Sequence, residues 1–187
     1  MAKQFPSIGE AHREFVARQH VFFVASAAAD SRVNVSPRST DCLRVLGPSA
    51  VAYLDRTGSG NETAAHILAG GRVTIMFCAV AGAPSILRLY GRGTIHGRRD
   101  TSFRAIVDRH FSGLAPLGTR QIVELAVELV QTSCGFGVPL LDYAGERDAM
   151  DRWAEHRGKD GIEAYWRTNN VASIDGLPTG LQIKGTS

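Results

Sequence analysis

The sequence predicts a mainly β protein with helices (α+β), folded as a closed or split barrel that helices decorate. Two observations predict this class: many short apolar runs lie between turn signals, and few helical patterns are long. The chain has 187 residues, which is enough for one domain with a real core. No repeat or linker divides it. We therefore expect one domain over residues 1–187, with a helical N-terminal segment at 7–19 and a helical C-terminal extension at about 145–181.

Local signals predict the elements in order. Ser7 and Glu10 have the spacing of a capping box, which predicts a helix that continues to about Gln19. Pro37 cannot donate to a β-ladder, so its strand must end there, bulge there or lie at a sheet edge. Apolar runs between turns predict strands at 21–29, 32–36, 43–46, 50–55, 72–80 and 85–96. Helical patterns predict helices at 61–69, 101–111, 147–156 and 161–167, followed by a tail.

Residues 121–132 fit two patterns. Leu125 and Leu129 fall on one face of a helix together with their apolar neighbours. Val123, Leu125 and Val127 also alternate with polar or small residues, as the residues of a half-buried strand do. Periodicity alone therefore leaves both structures open for this segment.

Charge and targeting signals narrow the functional class. The net charge of +3 and the isoelectric point of about 9.0 are too weak to indicate a nucleic-acid binder. Few aromatic residues lie among the arginines of 88–104, so we do not expect a nucleic-acid partner. No apolar leader and no run of about 18 apolar residues occurs, so we expect a cytoplasmic protein that does not cross a membrane.

Metal and disulfide chemistry are not predicted. Cys42, Cys78 and Cys134 are far apart, which fits neither a zinc ribbon nor a disulfide scaffold. The histidines lack the spacing of metal ligands, so we expect no metal. His66 belongs to the short helix at 61–69 and is interpreted as a residue of the helix surface.

A glycine-flanked loop follows the strand at 50–55 and contains the first group of candidate binding residues. A helix is predicted to begin near Asn61, and the unpaired N–H groups at the start of a helix suit phosphate. Arg56 adds a planar cation and Ser59 adds a hydroxyl donor. An ordinary capped helix, with Ser59 or Asn61 as N-cap, is an equally good interpretation of the local sequence.

A second group of candidates lies at Ser36, Pro37 and Arg38, again at a strand end. Arg88 adds a third cation inside an apolar strand, where a buried arginine would be costly without an anion and a solvent-facing one would not. Each cluster alone fits an ordinary strand end. Because two clusters of arginine and hydroxyl groups recur within one meander, the sequence indicates an anionic ligand.

These clusters, together with the turn motif C-G-F-G-V-P at 134–139, resemble the pyridoxamine 5′-phosphate oxidase-like flavin-binding split-barrel family. The resemblance covers about 15–93 and the turn at 133–139. It implies a six-stranded Greek-key split β-barrel of the FMN-binding type. It also implies that residues 121–132 form a barrel strand leading into the turn.

The resemblance implies a site and a function. The residues expected to bind the cofactor are Ser36, Pro37, Arg38, Asp55, Arg56, Ser59 and Asn61, with Arg88 near the flavin ring or ribityl chain. The implied protein is an FMN-dependent oxidoreductase that acts on an unidentified small molecule. It would be a homodimer with the cofactor at the subunit interface. No catalytic residue is identified, because the flavin carries the electrons in such enzymes.

Two departures from the family pattern affect the substrate and the cofactor. Pyridoxamine phosphate oxidases carry a basic residue after the loop serine, where this chain has Gly60 and Asn61. Their C-terminal signature, with a tryptophan and an Arg-Leu-x-Pro end, is absent. The vitamin B6 substrate is therefore not expected. A non-catalytic binding or sensor module that holds flavin, deazaflavin or haem on the same barrel is the alternative.

Overall fold

The computed structural model describes residues 2–183, and its centre is one curled antiparallel sheet that forms a half-barrel. Its strands are β1 (Lys3–Phe5), β2 (Val21–Ala27), β3 (Asn34–Ser39), β4 (Leu43–Gly47), β5 (Ala50–Arg56), β6 (Arg72–Cys78), β7 (Ile86–Gly97) and β8 (Thr119–Ser133). Seven strands follow the order β3-β2-β6-β7-β8-β5-β4, and β1 pairs with β8. Over the described residues the sheet therefore has eight strands, where the family resemblance implied six.

The strand interpretation of residues 121–132 is confirmed. They lie inside β8, which pairs antiparallel with both β5 and β7. Pro37 lies within β3 rather than ending it, and its strand is an edge of the sheet. An edge strand tolerates a proline because only one of its sides must donate to a neighbour.

Four helices lie around the sheet within residues 2–183: α1 (Glu10–Ala17), α2 (Glu62–Leu68), α3 (Thr101–His110) and α4 (Ala149–Asn169). The capping box predicted at Ser7 is wrong, because α1 begins after Gly9. The Gly9 N–H donates to His12 Nδ1 at 3.0 Å, so His12 supplies the contact expected of Glu10. The two predicted C-terminal helices form one element, α4, which is interrupted at Gly158 with a φ of +62°.

The main core fills the inside of the half-barrel. Along β2 and β6, alternate side chains are buried and their neighbours are half-buried, as the pleat of a sheet requires. Ile8 and Val16, which precede and belong to α1, join this core. On the outside, Phe103 and Val107 of α3 cover the part of the sheet that carries Leu54. Helix α3 therefore covers the β5 side of the sheet.

A second part of the outer face, on β2, β3, β6, β7 and β8, carries a row of residues in direct register. The row runs across five strands as Pro37, Phe23, Met76, Arg88 and Gln131. The next row along the same face is Val35, Ala25, Thr74, Tyr90 and Leu129. Phe23, Met76 and Tyr90 remain partly exposed there. This face is more apolar than a surface that contacts only solvent.

Among residues 2–183, none of the helices has the length and apolar character needed to cross a membrane. The same residues contain no group of three or more histidine, cysteine, aspartate and glutamate side chains arranged to hold a metal ion.

Candidate functional site

A large cleft opens where the edge strand β3 faces the loop after β5. Its volume is about 1040 Å³. One wall is β3, the floor is the end of β5 with the loop 57–61, and the opposite wall is the segment 141–151 that leads into α4. Cationic and hydroxyl side chains from separate parts of the chain therefore meet in one concave space, as ligand sites require.

The floor of the cleft is organised by one buried carboxylate, Asp55. Arg38 Nη2 lies 2.8 Å from its Oδ1, and Arg120 Nε donates to its Oδ2 at 2.8 Å. Gln121 Nε2 donates to the same Oδ2 at 2.8 Å and also to Asn61 Oδ1 at 2.8 Å. Asp55, Arg120 and Gln121 are each 1–2% exposed. This cluster joins the edge strand β3 to β5 and β8, which lie near the opposite end of the strand order.

A β-bulge explains how two successive residues of β8 reach the same carboxylate. Asp55 pairs with Gln121 and Arg56 pairs with Thr119, so Arg120 is an extra residue without a partner in β5. A bulge re-aims the side chain that it inserts. Arg120 consequently turns onto Asp55 from the same side as Gln121, and its Nη1 also donates to Gly60 O at 2.8 Å.

The charges of this cluster do not cancel. Burial alone would raise the pKa of Asp55, but Arg120 and Arg38 stabilise the carboxylate, so its pKa is held below the ordinary value. The same carboxylate raises the pKa of Arg38 against the effect of burial. Two guanidinium groups thus share one carboxylate, which leaves one positive charge in excess beside the cleft.

Buried polar atoms beside the cleft remain without partners. Within residues 2–183, Nε of Arg38 and Nε of Arg56 make no hydrogen bond, and neither does the hydroxyl of Tyr53. The Arg38 guanidinium lies over the Tyr53 ring, 4.8 Å from its centroid. Desolvation raises the pKa of Tyr53 above its ordinary range, so this phenol stays neutral. An anion in the cleft would supply the missing partner charge, so the residues present fit a phosphate group.

Arg56 takes part in a different ion pair. Its Nη2 contacts Asp151 in the first turn of α4, and its side chain is 21% exposed. Ser59 is exposed in the loop, and Asn61 is buried beneath it. Arg56 therefore faces the cleft, but a carboxylate of the opposite wall already neutralises it.

The loop 57–61 is held from behind by the C-terminal part of the chain. Trp166 Nε1 donates to Thr57 Oγ1 at 2.8 Å, and Thr57 Oγ1 donates to Gly118 O at 2.8 Å. Asn170 Nδ2 donates to Gly58 O at 3.0 Å. Because these contacts are buried or partly buried, the conformation of the loop depends on α4 as well as on the loop sequence.

A polar chain runs from the cleft into the protein interior. Ser36 Oγ donates to Asn34 Oδ1 at 3.2 Å, and Asn34 Nδ2 lies 3.4 Å from Ser26 Oγ. Ser26 Oγ lies 3.0 Å from Nδ1 of His66. The interpretation of His66 as a surface residue is wrong, because it is 0% exposed. Helix α2 packs against β2, and His66 lies on the side of the helix that meets Ser26 of that strand.

The structure brings six of the eight predicted site residues to the cleft: Ser36, Pro37, Arg38, Arg56, Ser59 and Asn61. Asp55 lies beneath the floor as the partner of Arg38. Arg88 does not line this cleft; it lies on the outer face of β7, where its Nη1 donates to Ser133 Oγ at 3.1 Å. It is three strands away from Pro37, or about 14 Å at the usual strand spacing.

Sequence reasoning missed Arg120 and Gln121. The signal was present, because both polar residues stand directly before the apolar run of β8. A charged residue at the start of a buried strand requires a partner. The pattern alone did not name Asp55 as that partner, because the bulge that joins them is set by the pairing of β5 with β8.

Comparisons with known proteins identify related sequences. The family model described as pyridoxamine 5′-phosphate oxidase matches residues 8–134. A curated relative, the pyridoxamine 5′-phosphate oxidase family protein ustO of Aspergillus flavus, is 37% identical over 191 residues. That match covers 93% of this chain and 76% of the relative. The region matched by the family contains β3, the loop 57–61 and β8.

Solved structures show the same fold at low sequence identity. A single-residue variant of HupZ from Group A Streptococcus has a TM-score of 0.55 at 17% identity, covering 67% of this chain and 99% of that chain. A candidate pyridoxamine 5′-phosphate oxidase of Lactobacillus delbrueckii has a TM-score of 0.52 at 20% identity, covering 67% and 94%. These similarities support the half-barrel architecture.

We expect Asp55→Asn to destabilise the protein by about 3–5 kcal/mol at neutral pH, because the buried guanidinium of Arg120 and the partly buried one of Arg38 lose their counterion. The exposed control Asp148→Asn, which breaks only the pair with Arg152, should cost less than about 0.5 kcal/mol. Urea denaturation measures both. Equal losses for the two variants would contradict a special role for the buried cluster.

The contribution of Asp55 to the free energy of unfolding is expected to depend on pH. The folded pKa of Asp55 is depressed, so its contribution is complete above the unfolded value of about 3.9. As the pH falls further, towards the folded pKa, the contribution is progressively lost. The stability difference between wild type and Asp55→Asn should therefore narrow below about pH 4. A difference that stays constant down to pH 3 would contradict this linkage.

Proposed function

The chain belongs to the pyridoxamine 5′-phosphate oxidase family, and from that premise we propose that it is an FMN-binding flavoprotein and a flavin-dependent oxidoreductase. The observation that supports this most strongly is the excess positive charge at the floor of the cleft, where Arg38 and Arg120 share Asp55. A buried cation without full compensation favours an anionic ligand. The phosphate of FMN is the anionic group that the family premise favours.

The proposed roles follow from position. Arg38 and Arg56 face the cleft from opposite sides of its floor and would neutralise the phosphate. Ser36 and Ser59 would orient it through their hydroxyl groups. Asp55 acts from beneath the floor, where it fixes the direction of Arg38. When bound, the flavin supplies the electron transfer, and these residues bind and orient it.

The substrate is proposed to be a small molecule other than the vitamin B6 compound. The family model ends at residue 134, whereas the wall at 141–151 lies beyond it. That wall carries four carboxylates, Asp142, Glu146, Asp148 and Asp151, and one cation, Arg147, so a mainly acidic surface faces the cationic floor. A ligand that fills the cleft therefore meets opposite charges at its two sides.

A module that holds flavin, deazaflavin or haem without turnover is the second candidate. One observation favours it: the wall at 141–151 contacts Arg56, and this contact suits retention of a ligand. The visible absorption spectrum of the purified protein distinguishes flavin, deazaflavin and haem. Oxidation of reduced nicotinamide by the flavin-loaded protein would support the oxidoreductase, and a flavin spectrum without any turnover would support the module.

We also propose a homodimer with the cofactor at the subunit interface. The outer face around Phe23 and Met76 is apolar and partly exposed, and Phe136 and Leu140, which follow β8, are 81% and 77% exposed. Arg88 stands in the middle of that face, too far from its own cleft to contact a phosphate there. A second copy packed on this face would bury the apolar residues and could bring its cleft to Arg88.

Arg56→Ala should lower FMN affinity about ten- to a hundredfold, because a hydrogen bond to a charged group is worth about 1.5–3 kcal/mol. Riboflavin, which lacks the phosphate, should bind the variant almost as it binds wild type. Arg99→Ala removes the same charge from an exposed position and should leave both affinities unchanged. Titration of flavin fluorescence measures all four values. Equal affinity of the wild type for FMN and riboflavin would remove the phosphate role.

Asp151→Asn should have the opposite effect on FMN. The carboxylate of Asp151 occupies Arg56, so removing its charge frees the guanidinium for phosphate. A partly exposed ion pair is worth about 0.2–1 kcal/mol, which corresponds to a gain in affinity of up to about fivefold. Asp148→Asn, in the same acidic wall but paired with Arg152, is the matched control and should bind FMN as wild type does. Tighter FMN binding by both variants would indicate a general charge effect.

The homodimer predicts a selective effect of Phe23→Asp. A carboxylate in the centre of the apolar row should produce a monomer in light scattering at micromolar concentration, because burying an unpaired charge is costly. It should also weaken FMN binding, since Arg88 of the second copy is lost. Leu114→Asp alters an apolar residue that is 73% exposed in the loop before β8 and should leave a dimer. A monomeric, FMN-loaded wild type would contradict the interface.

A further inference from the structure

We propose that the buried His66 is a positioning residue of the cleft, which sets the direction of the Ser36 hydroxyl through Ser26 and Asn34. This inference rests on the proposed FMN site, because Ser36 is one of its proposed phosphate contacts. His66 itself does not line the cleft. Its influence would pass along the polar chain that connects its ring to the cleft wall.

Every link of the chain is within hydrogen-bond range. Ser36 Oγ and Asn34 Oδ1 are 3.2 Å apart, Asn34 Nδ2 and Ser26 Oγ are 3.4 Å apart, and Ser26 Oγ and His66 Nδ1 are 3.0 Å apart. Asn34 Nδ2 also donates to Thr63 Oγ1 at 3.2 Å. Ser26 is 2% exposed, so water does not compete freely at the inner links.

The hydrogen bonds of this polar chain all point in one direction. In the arrangement observed, Ser36 donates its proton inward to Asn34, and Asn34 donates inward to Ser26. Ser26 then has its own proton left to donate to His66 Nδ1. In this direction the Ser36 hydroxyl offers only lone pairs to the cleft. It could accept a hydrogen bond from a ligand, but it could not donate one to a phosphate.

The opposite direction satisfies the same atoms. If Nδ1 of His66 carries the proton, it donates to Ser26, and Ser26 donates to the oxygen of a reversed Asn34 amide. The Asn34 nitrogen then donates to Ser36, whose proton is free to reach a phosphate oxygen in the cleft. Thr63 can follow the reversal by rotating its hydroxyl. Both states keep each link, so the proton position on the imidazole decides between them.

His66 is the group that can select between the two directions of the hydrogen bonds. Its ring is 0% exposed, and among the described residues its Nε2 makes no hydrogen bond. Among the described residues, Ser26 is therefore the hydrogen-bond partner through which the ring acts on the cleft. Serine and asparagine in the middle of the chain can reverse without changing their chemistry, whereas the imidazole fixes one nitrogen as donor and the other as acceptor.

Two amide variants separate positioning from packing. Asparagine places its amide atoms where His66 has Nδ1, so His66→Asn keeps a group that can donate to or accept from Ser26. Glutamine places its amide atoms nearer Nε2, so His66→Gln fills similar space without the link. Dissociation constants for FMN and riboflavin are measured by fluorescence titration for both variants, for Ser36→Ala and for the double variant His66→Gln/Ser36→Ala.

The expected result is a change in selectivity alone. His66→Gln and Ser36→Ala should each lower the preference for FMN over riboflavin by about tenfold, the value of one charge-assisted hydrogen bond. His66→Asn should keep the preference of the wild type. The double variant should show no greater loss than Ser36→Ala, because the two residues act through one contact.

Other results overturn the inference in distinguishable ways. If His66→Gln weakens FMN and riboflavin equally, or if its effect adds to that of Ser36→Ala, His66 only packs the interior. If the wild type shows no preference for FMN, the proposed phosphate site fails and this inference fails with it. If His66→Gln does not fold, Ser26→Ala breaks the chain one link nearer the cleft. It should then give the same selective loss.

Discussion

The architecture of the cleft depends on the buried carboxylate of Asp55. It is the point at which the edge strand β3, the strand β5 and the start of β8 meet. The edge strand β3 has no backbone ladder to β5 or β8, and here ionic contacts join it to them instead. The carboxylate accepts hydrogen bonds from Arg120 and Gln121 and forms an ion pair with Arg38, and these contacts compensate its burial.

The β-bulge at Arg120 makes the ionic cluster around Asp55 part of a binding surface. A regular pairing of β5 with β8 would place neighbouring side chains on opposite faces. The inserted residue adds a second guanidinium on the inner side, and the local charge becomes positive. The same irregularity thus stabilises the opening of the barrel and favours an anion there.

The sequence predicted the strands more completely than the site, for physical reasons. Burial alternates with period two along β2 and β6, and that pattern is local. The site depends on pairs that are distant in the chain, such as Ser26 with His66 and Asp55 with Arg120. The position of His66 on a short helix suggested a surface location. Its hydrogen-bond partner, Ser26, belongs to another element, so the local sequence did not show that His66 is buried.

Two parts of the chain contribute to the cleft in different ways. The floor lies within residues 8–134, the part matched by the family model, and the acidic wall lies beyond it. The wall is nevertheless tied to the floor, because Asp151 pairs with Arg56, and α4, which begins in the wall, donates to Thr57 through Trp166. The match to the Aspergillus flavus relative covers 93% of this chain and therefore extends past the family model. In the proposed function, the floor retains the phosphate, and the wall meets the remainder of the ligand.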